Sequence, residues 1–180
     1  MLEREVKALL ALKHPGIPRY LAWYWQHEGC YITFFTVQEA VQVTPLATML
    51  HSGWQPDEAE VARIARELLG TLQYLGSRHP PVVHRDVKPE NIVVEGDRSG
   101  GKVYLVDFGT SLAAAAAADD PASGATMVCT FDWAPEQYRP GGTVCPASDL
   151  YGLGATLLLL LSGRKLWDFP TKIAEWVACV

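Results

Sequence analysis

The segment His84-Arg85-Asp86-Val87-Lys88-Pro89-Glu90-Asn91 constrains this chain more than any other. It follows a short apolar run, Val82-Val83, and its last residue opens another, Ile92-Val93-Val94. A carboxylate, an ammonium and an amide are therefore presented on one tight loop between strand-like pieces. Farther along, Val103-Tyr104-Leu105-Val106 ends in Asp107-Phe108-Gly109, which adds a second carboxylate beside an aromatic and a flexible residue. Phosphoryl transfer needs a carboxylate for the acceptor's hydroxyl proton, a cation near the moving phosphate and oxygen ligands for a hard divalent ion. Asp86 supplies the first, Lys88 the second, and Asn91 with Asp107 the third.

The rest of the chain reads as alternating helix and hairpin. Leu2, Val6, Leu9, Leu10 and Leu12 recur at near-helical spacing until His14-Pro15-Gly16 stops them. Tyr20 to Val41 is rich in Trp, Tyr, Phe, Thr and Val, and predicts two strands joined at the polar break Gln26-His27-Glu28-Gly29. Pro45 to His51 predicts a short helix. Pro56-Asp57-Glu58 then starts a longer one, with Val61, Ile64, Ala65, Leu68, Leu69, Leu72 and Leu75 on one stripe, running to about Arg78. Val82-Val83 is a further strand-like run. Residues 111–127, with alanines from Ala113 to Ala118, lack an apolar stripe and predict a loop. A final helix is expected from about Ser148 to Leu161.

Composition narrows the class. With 180 residues, 49% of them hydrophobic, the chain can bury one domain-sized core, and a net charge of −5 without a Lys/Arg cluster gives no footprint for nucleic acid or an anionic membrane. Tyr151 to Leu161 is strongly apolar but shorter than the roughly 20 residues that span a bilayer, so no membrane span is expected. Four cysteines without a paired spacing, after a charged N-terminal stretch, point to a reducing intracellular compartment, the cytoplasm first and a plastid second. His14, His27, His51 and His79 share no ligand spacing, which argues against zinc.

Taken with Ala134-Pro135-Glu136 and with Asp149 at the start of the last helix, these motifs resemble the eukaryotic-type protein kinases in order and spacing. Lys88 after Asp86 resembles the Ser/Thr branch, and the runs Pro146 to Thr156 and Tyr104 to Gly109 are similar to kinases of photosynthetic microbes. The resemblance implies an α+β, protein-kinase-like fold: a partial small lobe of helix C plus two strands, with the hinge, over about residues 1–41, and a mainly helical large lobe over 42–180. It implies ATP and Mg²⁺ as cofactors and a protein substrate. Asp86 and Lys88 would be catalytic, Asn91 and Asp107 would hold the metal, and Glu39, Val41 and Val93 would bind the adenine. Gln38 would be the gatekeeper, Glu5 the helix C glutamate, and Leu9, Tyr20, His84 and Phe108 a hydrophobic spine. Arg85 would bind a phosphate on the activation segment.

Departures from the family pattern set a second expectation. Only four residues precede Glu5, so the family's glycine-rich loop and lysine are not among these 180, nor are the last large-lobe helices. A missing lobe supplied by the full-length protein, or a truncated non-catalytic binding module, is the alternative these departures raise. Thr130 also stands one residue nearer Glu136 than the family's threonine does; either one residue is deleted or Cys129 takes the threonine's place, which leaves the substrate-positioning role of Thr130 open. A small-molecule phosphotransferase shares a similar Asp-to-Asn loop, but Arg85, Lys88 and Ala134-Pro135-Glu136 argue for protein substrates.

Overall fold

A computed structural model describes residues 2–29, 31–96, 100–111, 133–138 and 142–169. Helix α1 (Leu2–Leu10) buries Val6 and Leu9, and the loop that follows buries Leu12 and Ile17. It packs against β1 (Tyr20–Glu28), which pairs antiparallel with β2 (Tyr31–Gln38). The strands run on through Gln26, His27 and Glu28, past the polar break expected to end the first of them, and Gly29 makes the turn with φ 62. A positive φ costs glycine nothing, so the turn goes to that residue rather than to the polar ones before it.

A second sheet has the order β3-β4-β5, with β3 (Val43–Pro45), β4 (Ile92–Glu95) and β5 (Val103–Leu105) all antiparallel to their neighbours. The expected strand at Val82-Val83 does not form; those residues are irregular, and Val82 is instead buried against the core. Val82 satisfies the pattern by burial alone, and Val83, half-buried, has no ladder partner.

Helix α2 (Leu46–His51) follows β3 directly, and α3 (Glu58–Gly76) starts at Asp57, whose Oδ1 accepts the Glu60 N–H at 2.8 Å. That N-cap satisfies one of the donors a helix start leaves open. On α3, Val61, Ile64, Leu68, Thr71, Leu72 and Leu75 are buried at helical spacing. The stripe faces β5 on one side and α5 (Pro146–Ser162) on the other; a short helix, α4 (Pro135–Tyr138), precedes α5 in the sequence. Each of these aliphatic side chains contributes about 1.5–3 kcal/mol by leaving water. Arg63 strengthens the seam: it pairs with Glu60 Oε1 at 2.8 Å, the oxygen that also accepts the Gly100 N–H at 3.0 Å, and with Glu67 Oε1, while Glu67 Oε2 accepts the Val103 N–H at 3.0 Å.

Helix α5 begins with Pro146 at its first turn, where a missing N–H costs nothing, and ends at Gly163 with φ 66. Among the described residues no helix is long and apolar enough to cross a membrane. The alanine run lies outside the described residues, as do Cys129 and Thr130.

Candidate functional site

The register of the second sheet builds the site. Ile92 pairs with Leu105, so Asn91, just before β4, and Val106, just after β5, meet at the same end; the Val106 N–H donates to the Asn91 carbonyl at 2.9 Å. Asp107 follows with φ 64, and its Oδ1 accepts the Gly109 N–H at 3.1 Å. A residue with a Cβ held at positive φ stores strain that its surroundings must offset. Antiparallel pairing thereby carries Asn91 and Asp107 to the same end of the sheet.

Asp86, Lys88 and Asn91 are brought into direct contact. Asp86 Oδ2 accepts Asn91 Nδ2–H at 2.9 Å and meets Lys88 Nζ at 2.7 Å, while the Asp86 carbonyl accepts a second bond from Asn91 Nδ2 at 2.9 Å. Asn91 spends its amide N–H groups on Asp86, which leaves its side-chain oxygen as the atom it presents elsewhere. Asp86 and Asn91 are nearly buried, so these charge-assisted bonds are strong and fix the carboxyl plane.

His84 holds the loop from beneath and touches no reacting group. Its Nδ1 accepts the Asp86 N–H at 3.3 Å, so Nε2 carries the hydrogen and donates to the Val106 carbonyl at 2.9 Å. Full burial drives its pKa down to about 4, which keeps the ring neutral. Phe108 packs edge-on against it at 4.5 Å between centroids, and Tyr20 against Phe108 at 6.2 Å. Leu9, Tyr20 and Phe108 belong to one buried core, and His84 meets it through Phe108. Burial, and secondarily the Asp107 charge, raises the pKa of the Tyr20 hydroxyl.

Two side chains from α4 and α5 hold the backbone of the loop. Asp149, on α5, accepts the N–H of His84 at 2.9 Å and that of Arg85 at 2.8 Å, one through each oxygen. Burial pushes its pKa up to about 6, against the pull of those two bonds. Gln137, on α4, donates Nε2–H to the Arg85 carbonyl at 2.9 Å and accepts the Ala134 N–H at 3.0 Å. The order of the motifs pointed to Asp149; nothing in the sequence pointed to Gln137.

Of the residues expected to bind adenine, Glu39 is held by bonds of its own. The Glu39 N–H donates to the Arg19 carbonyl, and its Oε1 accepts the Arg19 N–H, both at 2.9 Å. Its own carbonyl and the Val41 N–H have no hydrogen-bond partner among the described residues. Gln38 donates Nε2–H to the Pro18 carbonyl at 3.4 Å. Val93 is buried on β4, opposite Tyr104. The Glu5 side chain lies outside the described residues, and Glu136 accepts the Ser148 hydroxyl at 2.5 Å.

Comparison with known proteins agrees with this arrangement. A family model described as "Protein kinase domain" matches residues 1–177. The chain is 33% identical over 135 residues to Serine/threonine-protein kinase F of Synechocystis sp., covering 75% of this chain and 26% of that protein. It is 34% identical over 175 residues to Serine/threonine-protein kinase pkn3 of Myxococcus xanthus, covering 95% and 31%. With Serine/threonine-protein kinase PknL of Mycobacterium tuberculosis the figures are 38% over 131 residues, 72% and 31%. The chain thus spans under a third of the length of these relatives. On the match of its whole core and the assembly of its motifs at one end of the sheet, this chain belongs to the protein kinase domain family.

Proposed function

We propose that these residues form the catalytic core of a protein serine/threonine kinase, transferring the γ-phosphoryl group of ATP to hydroxyls of a protein substrate. The observation that carries this is the Asp86 carboxylate, held on Oδ2 by both Lys88 and Asn91. A carboxylate oriented by its neighbours accepts the proton of an incoming hydroxyl without first reorganising, which is where an enzyme gains over water. The Lys88 ammonium, at 2.7 Å from that carboxylate, is in place to meet the charge of the transferred group.

Asn91 and Asp107 supply oxygens only, which suits a hard cation, and no group of three or more His, Cys, Asp or Glu side chains clusters among the described residues. Mg²⁺ is commonly held by one or two protein oxygens together with substrate phosphates, so this sparse pair fits it. When bound, it would neutralise charge on the phosphate oxygens. The Glu39 carbonyl and the Val41 N–H would meet the adenine edge, and Val93 its face. The segment around Gln38 to Val41 would then divide a small lobe from a large one. A reducing intracellular location suits four cysteines without a paired spacing.

The test is turnover by the full-length protein with Asp86→Asn. A loss of roughly a thousandfold in kcat, with unchanged thermal stability, is expected. Near-normal turnover would remove Asp86 from the chemistry and the proposal with it. Against a non-catalytic binding module, ATP with Mg²⁺ should raise the melting temperature more than ATP alone.

A further inference from the structure

Asp86 has a third hydrogen-bonding neighbour, from a part of the chain that none of the assigned roles uses. Trp133 is buried, and its indole Nε1–H donates to Asp86 Oδ1 at 3.3 Å. Lys88 and Asn91 both act on Oδ2, so the two carboxylate oxygens are gripped by different segments, one by the loop that carries Asp86 and the other by the segment before α4. Rotation about the Cβ–Cγ bond moves both oxygens at once, so the bonds on Oδ2 resist it at one oxygen and a donor on Oδ1 resists it at the other.

Trp133 is itself held in place. The next residue, Ala134, gives its N–H to Gln137 Oε1, and Gln137 Nε2–H returns to the Arg85 carbonyl, the residue just before Asp86. The indole also lies 6.1 Å from the Tyr138 ring. A tryptophan N–H is a donor only. Aimed at a carboxylate, it stabilises the ionised form and cannot compete as a base.

We propose that Trp133 is a positioning residue for Asp86, fixing the carboxylate through its indole N–H, with Gln137 holding the Trp133 segment against the Asp86 loop. This rests on Asp86 being the acceptor of the hydroxyl proton. A single bond at the reacting carboxyl, with no direct contact to nucleotide, affects the chemical step and not nucleotide affinity.

Two replacements in the full-length protein separate the N–H from the bulk of the ring. Trp133→Phe removes the donor and some volume. Site-specific incorporation of 3-benzothienylalanine at 133 keeps the indole shape and puts sulfur where the N–H was. Steady-state kinetics with ATP and a protein acceptor, run beside Asp86→Asn, should give a fall in kcat of about tenfold for both, the worth of one hydrogen bond, with KM for ATP unchanged. Wild-type kinetics for the benzothienylalanine protein, whatever Trp133→Phe does, would overturn the proposal, because the ring and not its N–H would then matter. A rise in KM for ATP at constant kcat would also overturn it, by moving Trp133 to nucleotide binding. If Asp86→Asn itself turns over normally, the failure lies with the role given to Asp86; if only the Trp133 variants are silent, it lies with the positioning role.

Discussion

Asp149 and His84 are joined across 65 positions of sequence by one bond, from the His84 backbone N–H to Asp149 Oδ2 at 2.9 Å, with the Arg85 N–H on the other oxygen at 2.8 Å. Arg85 sits at φ 73, a conformation a side chain rarely adopts, and the carboxylate that bonds its N–H helps hold it there. Helix α5, through a residue on its buried face, therefore sets the shape of the loop that presents Asp86. Asp149→Ala leaves two N–H groups without their acceptor and should cost about 2–4 kcal/mol, read from the midpoint of urea unfolding. A change under 0.5 kcal/mol would mean the loop holds its shape without α5.

The same pair makes stability respond to pH in opposite senses. His84 falls from its ordinary 6.5 to about 4, so its contribution is present above pH 6.5 and lost as pH drops toward 4. Asp149 rises from 3.8 to about 6, so its contribution is present below pH 3.8 and lost as pH climbs toward 6. Between about pH 4.5 and 6 the two nearly cancel. D149N removes one side of the balance, and its stability should fall with decreasing pH in that window by about 1.4 kcal/mol per unit more than wild type. Parallel pH profiles for the two proteins would show that Asp149 does not titrate there.

Gly152 on α5 lies against the loop so closely that an added Cβ would stand 2.6 Å from the Val87 carbonyl oxygen. Backbone cannot yield as a side-chain tip does. Gly152→Ala should destabilise by about 1–3 kcal/mol and lower kcat through the displaced loop, whereas Gly154→Ala, where nothing lies within 4 Å, should be neutral or slightly stabilising because alanine suits a helix better. Thermal melts of the two variants side by side check the contrast.

Phe108 fills the space between His84 and Tyr20 and is 1% exposed. Phe108→Ala should cost about 3–5 kcal/mol, and Phe108→Leu, which keeps most of the volume, about 1–2. Equal losses would show that the edge-on ring contacts, rather than filled volume, carry the stability.

Lys88→Ala removes the cation beside Asp86 Oδ2 but leaves Asn91 on the same oxygen. Turnover should drop by about a hundredfold or more, and stability should fall by about 1–3 kcal/mol, since a nearly buried carboxylate loses a charged partner. A large loss of stability with normal turnover in the folded fraction would reverse the assignment.

The sequence by itself determined the elements and the chemistry on offer. Apolar spacing placed the helices that became α1, α3 and α5 to within a few residues, because 3.6-residue periodicity is local and needs no knowledge of partners. The loop from His84 to Asn91 and the Asp107 triplet were legible for a similar reason: reactive groups crowded into short segments leave few alternative uses. Where local pattern was ambiguous it misled, as at Val82-Val83, whose burial needs no strand, and at Gln26 to Glu28, whose polarity does not prevent strand pairing. Tertiary structure alone decided how the site is held. The Asp149 carboxylate under the His84 and Arg85 N–H groups, the Gln137 amide on the Arg85 carbonyl and the Trp133 indole on Asp86 Oδ1 join positions 47 to 65 apart. Such bonds form only after packing of α5 and the β3-β4-β5 sheet brings those backbones together, and no periodicity along the chain encodes them.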